Sequence, residues 1–223
     1  MIFEKHLELR GKHALFPPSK PSWLNYSIPK MFERIDSENA KTVGTLIHEF
    51  AASQIYLNHR VTNKKTLIQS IENYIYDTYY NDKTEELSQE GIIYIDYVAP
   101  CVDRAYETIK NYINDSIGFK MTPEQPLKYS DRFFGHADAI SFRDQFLRIH
   151  DLKTGVSPVK MEQLIIYAAL FCLNYNVKPG EMQSELRIYQ NNEILTFQPE
   201  ADDILPVMDH IVTFDKAYSK KRL

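Results

Sequence analysis

The residues best suited to catalysis or metal binding lie in one short stretch, FGHADAISFRDQFLRIHDLKTG, which spans residues 134–155. Asp138, Asp151 and Lys153 interrupt a pattern that is otherwise typical of two β-strands. Two carboxylates with water are a ligand set that Mg²⁺ or Mn²⁺ accepts, and phosphate oxygens of a substrate complete it. A lysine beside such an ion can activate the attacking water or stabilise negative charge on the phosphate. These residue types therefore favour metal-assisted phosphodiester hydrolysis.

The spacing of apolar residues predicts that the two carboxylates face each other across a β-hairpin. A turn at residues 144–145 pairs Ile140 with Ile149. The same register pairs Asp138 with Asp151, whereas a loop with an odd number of residues would break this pairing. Directly opposed like charges destabilise a sheet, so the pair needs either a metal ion or the nearby lysine to neutralise it. The alternative is a surface hairpin end with solvated acids and an ordinary ion pair.

The second half of the chain has the pattern of a mixed α/β core. The predicted strands span residues 126–130, 132–142, 146–152, 185–190 and 193–197. One predicted helix spans residues 158–174 and is opened by Ser157 and Pro158, a good cap and first-turn pair. A second helix is predicted over residues 200–218.

The first half is mainly helical. The predicted helices span residues 37–58, 64–80 and 88–116. Pro100 predicts a break in the third of them. The prolines of residues 13–30 predict an irregular segment with a helical turn near Trp23.

The length and net charge of the chain limit how many domains it can form and which partners suit it. A chain of 223 residues suits one large domain, and we expect residues 1–118 to be mainly helical and residues 119–223 to form the α/β core. The net charge of −4 argues against a general polyanion-coating protein but leaves room for a local basic groove. No apolar run is long enough to span a membrane and no signal peptide is visible, which predicts a cytoplasmic protein without a membrane partner.

Several short motifs occur in the order seen in a known nuclease family. They are GTLIHEF with His48, GHAD ending at Asp138, IHDLKTG with Asp151 and Lys153, and EQLIIYAAL with Gln163 and Tyr167. Each motif is weak alone, but together they resemble the PD-(D/E)XK nucleases of the RecB-like exonuclease branch. The resemblance extends over roughly residues 13–190 and looks closest to small, stand-alone, phage-associated members.

The resemblance implies a fold and a set of catalytic roles. The fold would be a restriction-endonuclease-like mixed-sheet core flanked by helices. Asp138, Asp151 and His48 would hold Mg²⁺ or Mn²⁺, and Lys153 would be the catalytic lysine. Considered without the resemblance, His48 has small residues one helical turn away on either side, which equally suits a tightly packed core histidine.

Further residues receive supporting roles. Gln163 and Tyr167 share a helix face, and the resemblance implies that they hold the nucleic-acid backbone or support the active site. They equally suit the polar edge of an amphipathic helix. Glu124, in EQPL, is expected behind the metal ligands or as a structural acid. His136 and His150 are expected to lie outside the metal site, because strand alternation turns His150 away from its acidic neighbour.

The sequence also departs from the family pattern. Tyr26 lies near the place where many relatives carry a cluster cysteine, and Cys101 and Cys172 cannot supply four ligands. We therefore expect no iron–sulfur cluster. Ala52 stands where some relatives place an acid, which argues against a richly ligated second metal.

The resemblance implies a metal-dependent deoxyribonuclease, specifically an exonuclease that acts on linear duplex or single-stranded DNA in phage-type recombination or repair. The setting would be the cytoplasm of a bacterium or a phage-infected cell. A single-strand-annealing or recombination protein is the implied partner, and a homo-oligomer is compatible with the family. Two alternatives stay open: a structure-selective endonuclease, and a non-catalytic nucleic-acid-binding protein that retains the fold. The intact set of acids and lysine speaks against the second.

Overall fold

The computed structural model describes residues 14–18, 21–82 and 84–221. The helices within these ranges are α1 (Ile28–Leu57), α2 (Lys64–Tyr79), α3 (Gln89–Gly118), α4 (Glu162–Tyr175) and α5 (Ala201–Lys221). The strands are β1 (Tyr80–Asn81), β2 (Glu86–Leu87), β3 (Thr122–Ser130), β4 (Phe133–Arg143), β5 (Phe146–Leu152), β6 (Gln183–Gln190) and β7 (Glu193–Phe197). A 3₁₀ helix at Pro21–Asn25 contains Trp23, which confirms the predicted turn.

The main sheet is mixed, and its strand order is β3-β4-β5-β6-β7. The pair β5 and β6 is parallel, and α4 lies in the connection between them, whereas the other neighbouring pairs are antiparallel. This arrangement confirms the predicted mixed α/β fold. None of the helices in the described ranges is both long enough and apolar enough to cross a membrane.

The alternation of side chains along the strands builds two cores. One core joins α1, α2 and α3 to a sheet face that includes Leu152 and Tyr189. The other joins α4 and α5 to the opposite face, which includes Leu147 and Ile149. The sheet is therefore covered on both faces, and the ends of its central strands lie close to α1 and α3.

Helix α1 begins at Ile28 rather than at the predicted residue 37. Ser27 caps it by accepting a hydrogen bond from the backbone N–H of Lys30 at 3.4 Å, and a proline in the first turn suits a helix start. Its first turns expose large apolar side chains such as Phe32, so they lack the buried periodic face that marks a helix in a sequence.

Helix α4 begins at Glu162, so the predicted start at residue 158 is wrong. The carboxamide of Gln190 donates hydrogen bonds to the carbonyl oxygens of Gly155 and Ser157, at 2.7 and 2.8 Å. These contacts hold the chain after β5 as a loop and delay the helix. The side chain of Gln190 is buried, so the sequence around Ser157 carries no sign of this contact.

The predicted break near Pro100 corresponds to a kink further along helix α3, which runs through Pro100 without ending. Its non-helical backbone angles occur instead at Ala105, where φ is −112° and ψ is 17°.

The predicted hairpin register is confirmed over most of its length. Ile140 pairs with Ile149, and the two turn residues, Asp144 and Gln145, have φ of 50° and 58°, as a type I′ turn requires. The ladder ends at Ala139, one pair before the two aspartates. The second predicted hairpin is also confirmed, with its turn at residues 191–192.

Candidate active site

A cleft of about 740 Å³ opens where the central strands end. Its walls come from α1, α3, β3, β4 and the segment that follows β5. Its lining includes His48, Glu124, Asp138, Lys153 and Arg104. These residues are far apart in sequence, so the fold alone brings them together.

Asp138 lies at the point where the β4–β5 ladder stops. Its Oδ2 atom accepts a hydrogen bond from the backbone N–H of Leu152 at 2.9 Å, in place of further ladder pairing. The same oxygen lies 3.3 Å from Nδ1 of His48. Among the described residues, these two contacts engage Oδ2 of the carboxylate, and Asp138 lines the cleft.

His48 reaches the cleft because α1 packs closely against the segment after β5. A Cβ added at Gly44, one turn earlier, would lie 3.0 Å from Oγ1 of Thr154. Burial lowers the pKa of His48, but the hydrogen bond to Asp138 and the negative charges of Asp138 and Asp151 outweigh it, and the net pKa is raised. The close approach of α1 therefore places the imidazole beside a carboxylate.

Glu124 completes a group of three candidate ligands. Potential ligand atoms of His48, Glu124 and Asp138 all lie within 4.8 Å of one another. Burial and the charge of Asp138 raise the pKa of Glu124, although the histidine partly offsets them. The negative charges of Glu124 and Asp138 therefore favour binding of a cation.

The backbone of Glu124 is unusual for a residue within a strand. Its φ is 49°, in the left-handed region that non-glycine residues rarely adopt. The paired residues on either side of it, Pro123 with Ala139 and Gln125 with Ala137, place it across from Asp138. Such conformations cost on the order of 1–3 kcal/mol and cluster at functional sites. Glu124 thus combines a costly backbone conformation with a position at the cleft.

The grouping differs from the predicted ligand set in one respect. We expected Asp151 as a ligand and Glu124 behind the ligands, whereas the structure groups Glu124 with His48 and Asp138 and does not include Asp151. Asp151 is instead engaged by another side chain. Its carboxylate is buried and forms an ion pair with Lys153.

The ion pair between Asp151 and Lys153 holds the lysine at the cleft wall. Nζ lies 3.0 Å from Oδ1 and 2.9 Å from Oδ2, but only the contact with Oδ1 has hydrogen-bond geometry. Oδ2 is buried without a hydrogen-bond donor. Burial and the charge of Asp138 raise the pKa of Asp151 to about 6, against the opposing effect of Lys153. A further positive charge nearby would therefore stabilise the ionised form of Asp151.

Gln163 and Tyr167 lie on α4 and do not line the cleft. Tyr167 is half-buried against Gly135, where an added Cβ would lie 2.8 Å from Cε1 of the ring. Burial raises the pKa of the Tyr167 phenol, and Gln163, one turn earlier on the helix, opposes this effect. The pair thus packs against β4 close to the acids, in a supporting position.

His150 points away from the acids, as strand alternation predicts. Its Nδ1 atom lies 3.4 Å from Oγ of Ser116 and 3.3 Å from the hydroxyl of Tyr189, on the α3 side of the sheet. His136 is exposed on β4 and is not part of the ligand group.

Sequence reasoning missed Arg104, which lines the cleft from α3. Its Nη2 atom donates a hydrogen bond to the carbonyl oxygen of Thr154 at 3.3 Å. No local motif marks this arginine, because its position depends on contacts between distant parts of the chain.

A family model described as "Protein of unknown function (DUF2800)" matches residues 15–205. A comparison with curated proteins gave no match.

Proposed function

The chain belongs to the DUF2800 family, and from its site geometry we propose that it is a metal-dependent deoxyribonuclease that hydrolyses phosphodiester bonds. One observation carries the proposal. Candidate ligand atoms of His48, Glu124 and Asp138 converge within 4.8 Å in a cleft that Lys153 also lines. The resemblance to PD-(D/E)XK exonucleases supports the same reaction and favours DNA ends as the substrate.

The chemistry of these side chains fits a divalent cation. Two carboxylates supply the oxygen ligands that Mg²⁺ and Mn²⁺ prefer, and one imidazole favours Mn²⁺. Burial, and after it the negative charge of Asp138, raise the pKa values of Glu124 and Asp151, and a bound cation would oppose both effects. Oδ2 of Asp151 accepts no hydrogen bond, although it is ion-paired with Lys153, so this residue could serve as an additional ligand.

The protein side chains have distinct tasks in the proposed reaction. A bound Mg²⁺ or Mn²⁺ would lower the pKa of water and neutralise charge that develops on the phosphate. Lys153 is held by Asp151 at the cleft wall, where its ammonium group can orient the water or stabilise the phosphate in the transition state. Asp138 is fixed by the N–H of Leu152 and contributes one oxygen to the ligand group.

The test is incubation of the protein with end-labelled linear DNA and with closed circular DNA, in Mg²⁺, in Mn²⁺ and in a chelator. The proposal predicts cleavage of linear DNA that the chelator abolishes. Cleavage of circular DNA as well would indicate the endonuclease alternative. If neither duplex nor single-stranded DNA is cut with either ion, the proposed hydrolysis is wrong.

A further inference from the structure

Helix α3 is interrupted at Ala105 by a side chain from a distant turn. The carboxamide of Asn192 donates from Nδ2 to the carbonyl oxygen of Arg104 at 3.3 Å and accepts at Oδ1 from the N–H of Thr108 at 3.3 Å. A regular helix joins that N–H and that carbonyl directly, since they are four residues apart. The carboxamide thus occupies both ends of one helical hydrogen bond, which accounts for the non-helical angles of Ala105.

Asn192 is fixed in this position by the β6–β7 turn. Its φ is 61°, and its own N–H donates to Oγ1 of Thr108 at 2.7 Å. Gln190, at the start of the same turn, holds the carbonyl oxygens of Gly155 and Ser157. One turn therefore contacts two walls of the cleft, α3 and the segment after β5.

Arg104 is the residue that this arrangement presents to the cleft. Its guanidinium group is anchored at one corner by the carbonyl of Thr154, next to Lys153. No carboxylate among the described residues forms an ion pair with it, although Glu124 and Asp138 line the same cleft. The same Nη2 atom also donates to Sγ of Cys101 at 3.9 Å, and the N–H groups on Nε and Nη1 are left for a ligand at this exposed position.

We propose that Arg104 binds a backbone phosphate of the nucleic acid in the cleft and that Asn192 is the residue that positions it. Guanidinium N–H groups form charge-assisted hydrogen bonds with phosphate oxygens, and the anchoring of this side chain to Thr154 and Cys101 reduces the entropy lost on binding. The polynucleotide nature of the ligand rests on the proposed function. Phosphate binding by Arg104 does not require that hydrolysis occurs.

The test is the affinity of the full chain for a short fluorescein-labelled duplex and for the matching single strand, measured by anisotropy with Ca²⁺ over a range of salt concentrations. Arg104→Ala should weaken binding about tenfold and reduce the slope of log affinity against log salt by about 1. Arg104→Lys should recover the slope but not the full affinity. Arg60→Ala is the matched control, because Arg60 also donates to a backbone carbonyl of α3 but lies outside the cleft. The salt dependence of DNA affinity in Arg60→Ala should equal that of the wild type.

The positioning role is tested with Asn192→Gly, which keeps the positive φ and removes the carboxamide. Circular dichroism should show a folded protein, and the affinity and salt slope should fall towards those of Arg104→Ala. The double variant should lose little more than Arg104→Ala alone. Thr108→Ala, which removes a hydroxyl contact of Asn192, provides a second route and should show a smaller loss in the same direction.

The outcomes separate this inference from the proposed nuclease. An unchanged salt slope in Arg104→Ala, with wild-type cleavage intact, overturns the phosphate-binding role and leaves the nuclease standing. A reduced slope with no cleavage by the wild type supports phosphate binding and contradicts the nuclease. If the wild-type protein binds neither the duplex nor the single strand, the inference is wrong. If Arg104→Ala loses affinity while folded Asn192→Gly and Thr108→Ala do not, the positioning role is wrong.

Discussion

At the level of single side chains, Lys153 is the residue whose removal best separates catalysis from binding. Its ammonium group is held against Asp151 and lines the cleft. Lys153→Ala should lower the cleavage rate by about 10²–10⁴ while DNA affinity changes only a few-fold, because the lysine acts in the transition state. Cleavage assays and anisotropy measure the two effects. Lys41→Ala, at a second lysine of the cleft that pairs with Glu38, is the control. Equal cleavage rates in both variants would exclude a special role for Lys153.

Asp151 should make the stability of the metal-free protein depend on pH. Its pKa is raised from 3.8 to about 6 on folding, so the unfolded chain releases this proton at lower pH than the folded protein does. As pH rises from about 4 to about 6, the wild type should lose stability relative to Asp151→Asn, by on the order of 2 kcal/mol. Urea unfolding in chelator, at several pH values, measures the difference. If the difference in unfolding free energy between the two proteins stays constant across this pH range, the pKa of Asp151 is not raised on folding.

His48 should be needed for activity rather than for folding. Its side chain is 28% exposed at the cleft, and Gly44 precedes it by one turn, so its removal leaves no large cavity. His48→Ala should therefore lose most activity and remain folded, and the wild type should be more active with Mn²⁺ than with Mg²⁺. Activity should also fall as pH drops through the raised pKa of the histidine, because the protonated imidazole cannot bind metal. An unfolded variant with unchanged metal affinity would identify His48 as a packing residue.

At the scale of elements, the close approach of α1 to the segment after β5 should control activity. Gly44→Ala adds a Cβ that would lie 3.0 Å from Oγ1 of Thr154, so α1 or the threonine must shift. We expect a several-fold lower cleavage rate without loss of helix content, since alanine favours the helix by about 1 kcal/mol. Thr154→Ala in the same chain removes the contacting hydroxyl and should restore the rate. If Thr154→Ala does not restore the cleavage rate, the contact with Thr154 is not the reason for the lower rate of Gly44→Ala.

The elements also show which structural features a sequence can reveal. The β4–β5 hairpin was predictable because its alternation and its turn are local properties. The late start of α4 was not, because it depends on the buried carboxamide of Gln190. The interruption of α3 depends similarly on Asn192 and lies at Ala105, beyond the proline that predicted a break nearby.

At the scale of the whole molecule, the site is assembled from both halves of the chain. The hairpin pattern and the family resemblance predicted Asp138, Asp151, Lys153 and His48, and the structure brings all four to one region. The grouping of Glu124 with the ligands was not predictable, because β3 begins at Thr122, before the predicted strand at residues 126–130, and its first residues pair with β4.

The central claim is that His48, Glu124 and Asp138 bind a divalent cation, and calorimetric titration of the protein with Mn²⁺ tests it most directly. We expect saturable binding, with affinity at least tenfold weaker in Asp138→Asn and in Glu124→Gln, because each loses a charged ligand. Glu33→Gln is the control, since Glu33 lies on α1 but does not line the cleft, and its affinity should equal that of the wild type. Absence of Mn²⁺ binding to the wild type, with or without DNA, or equal affinity in all four proteins, would contradict the claim.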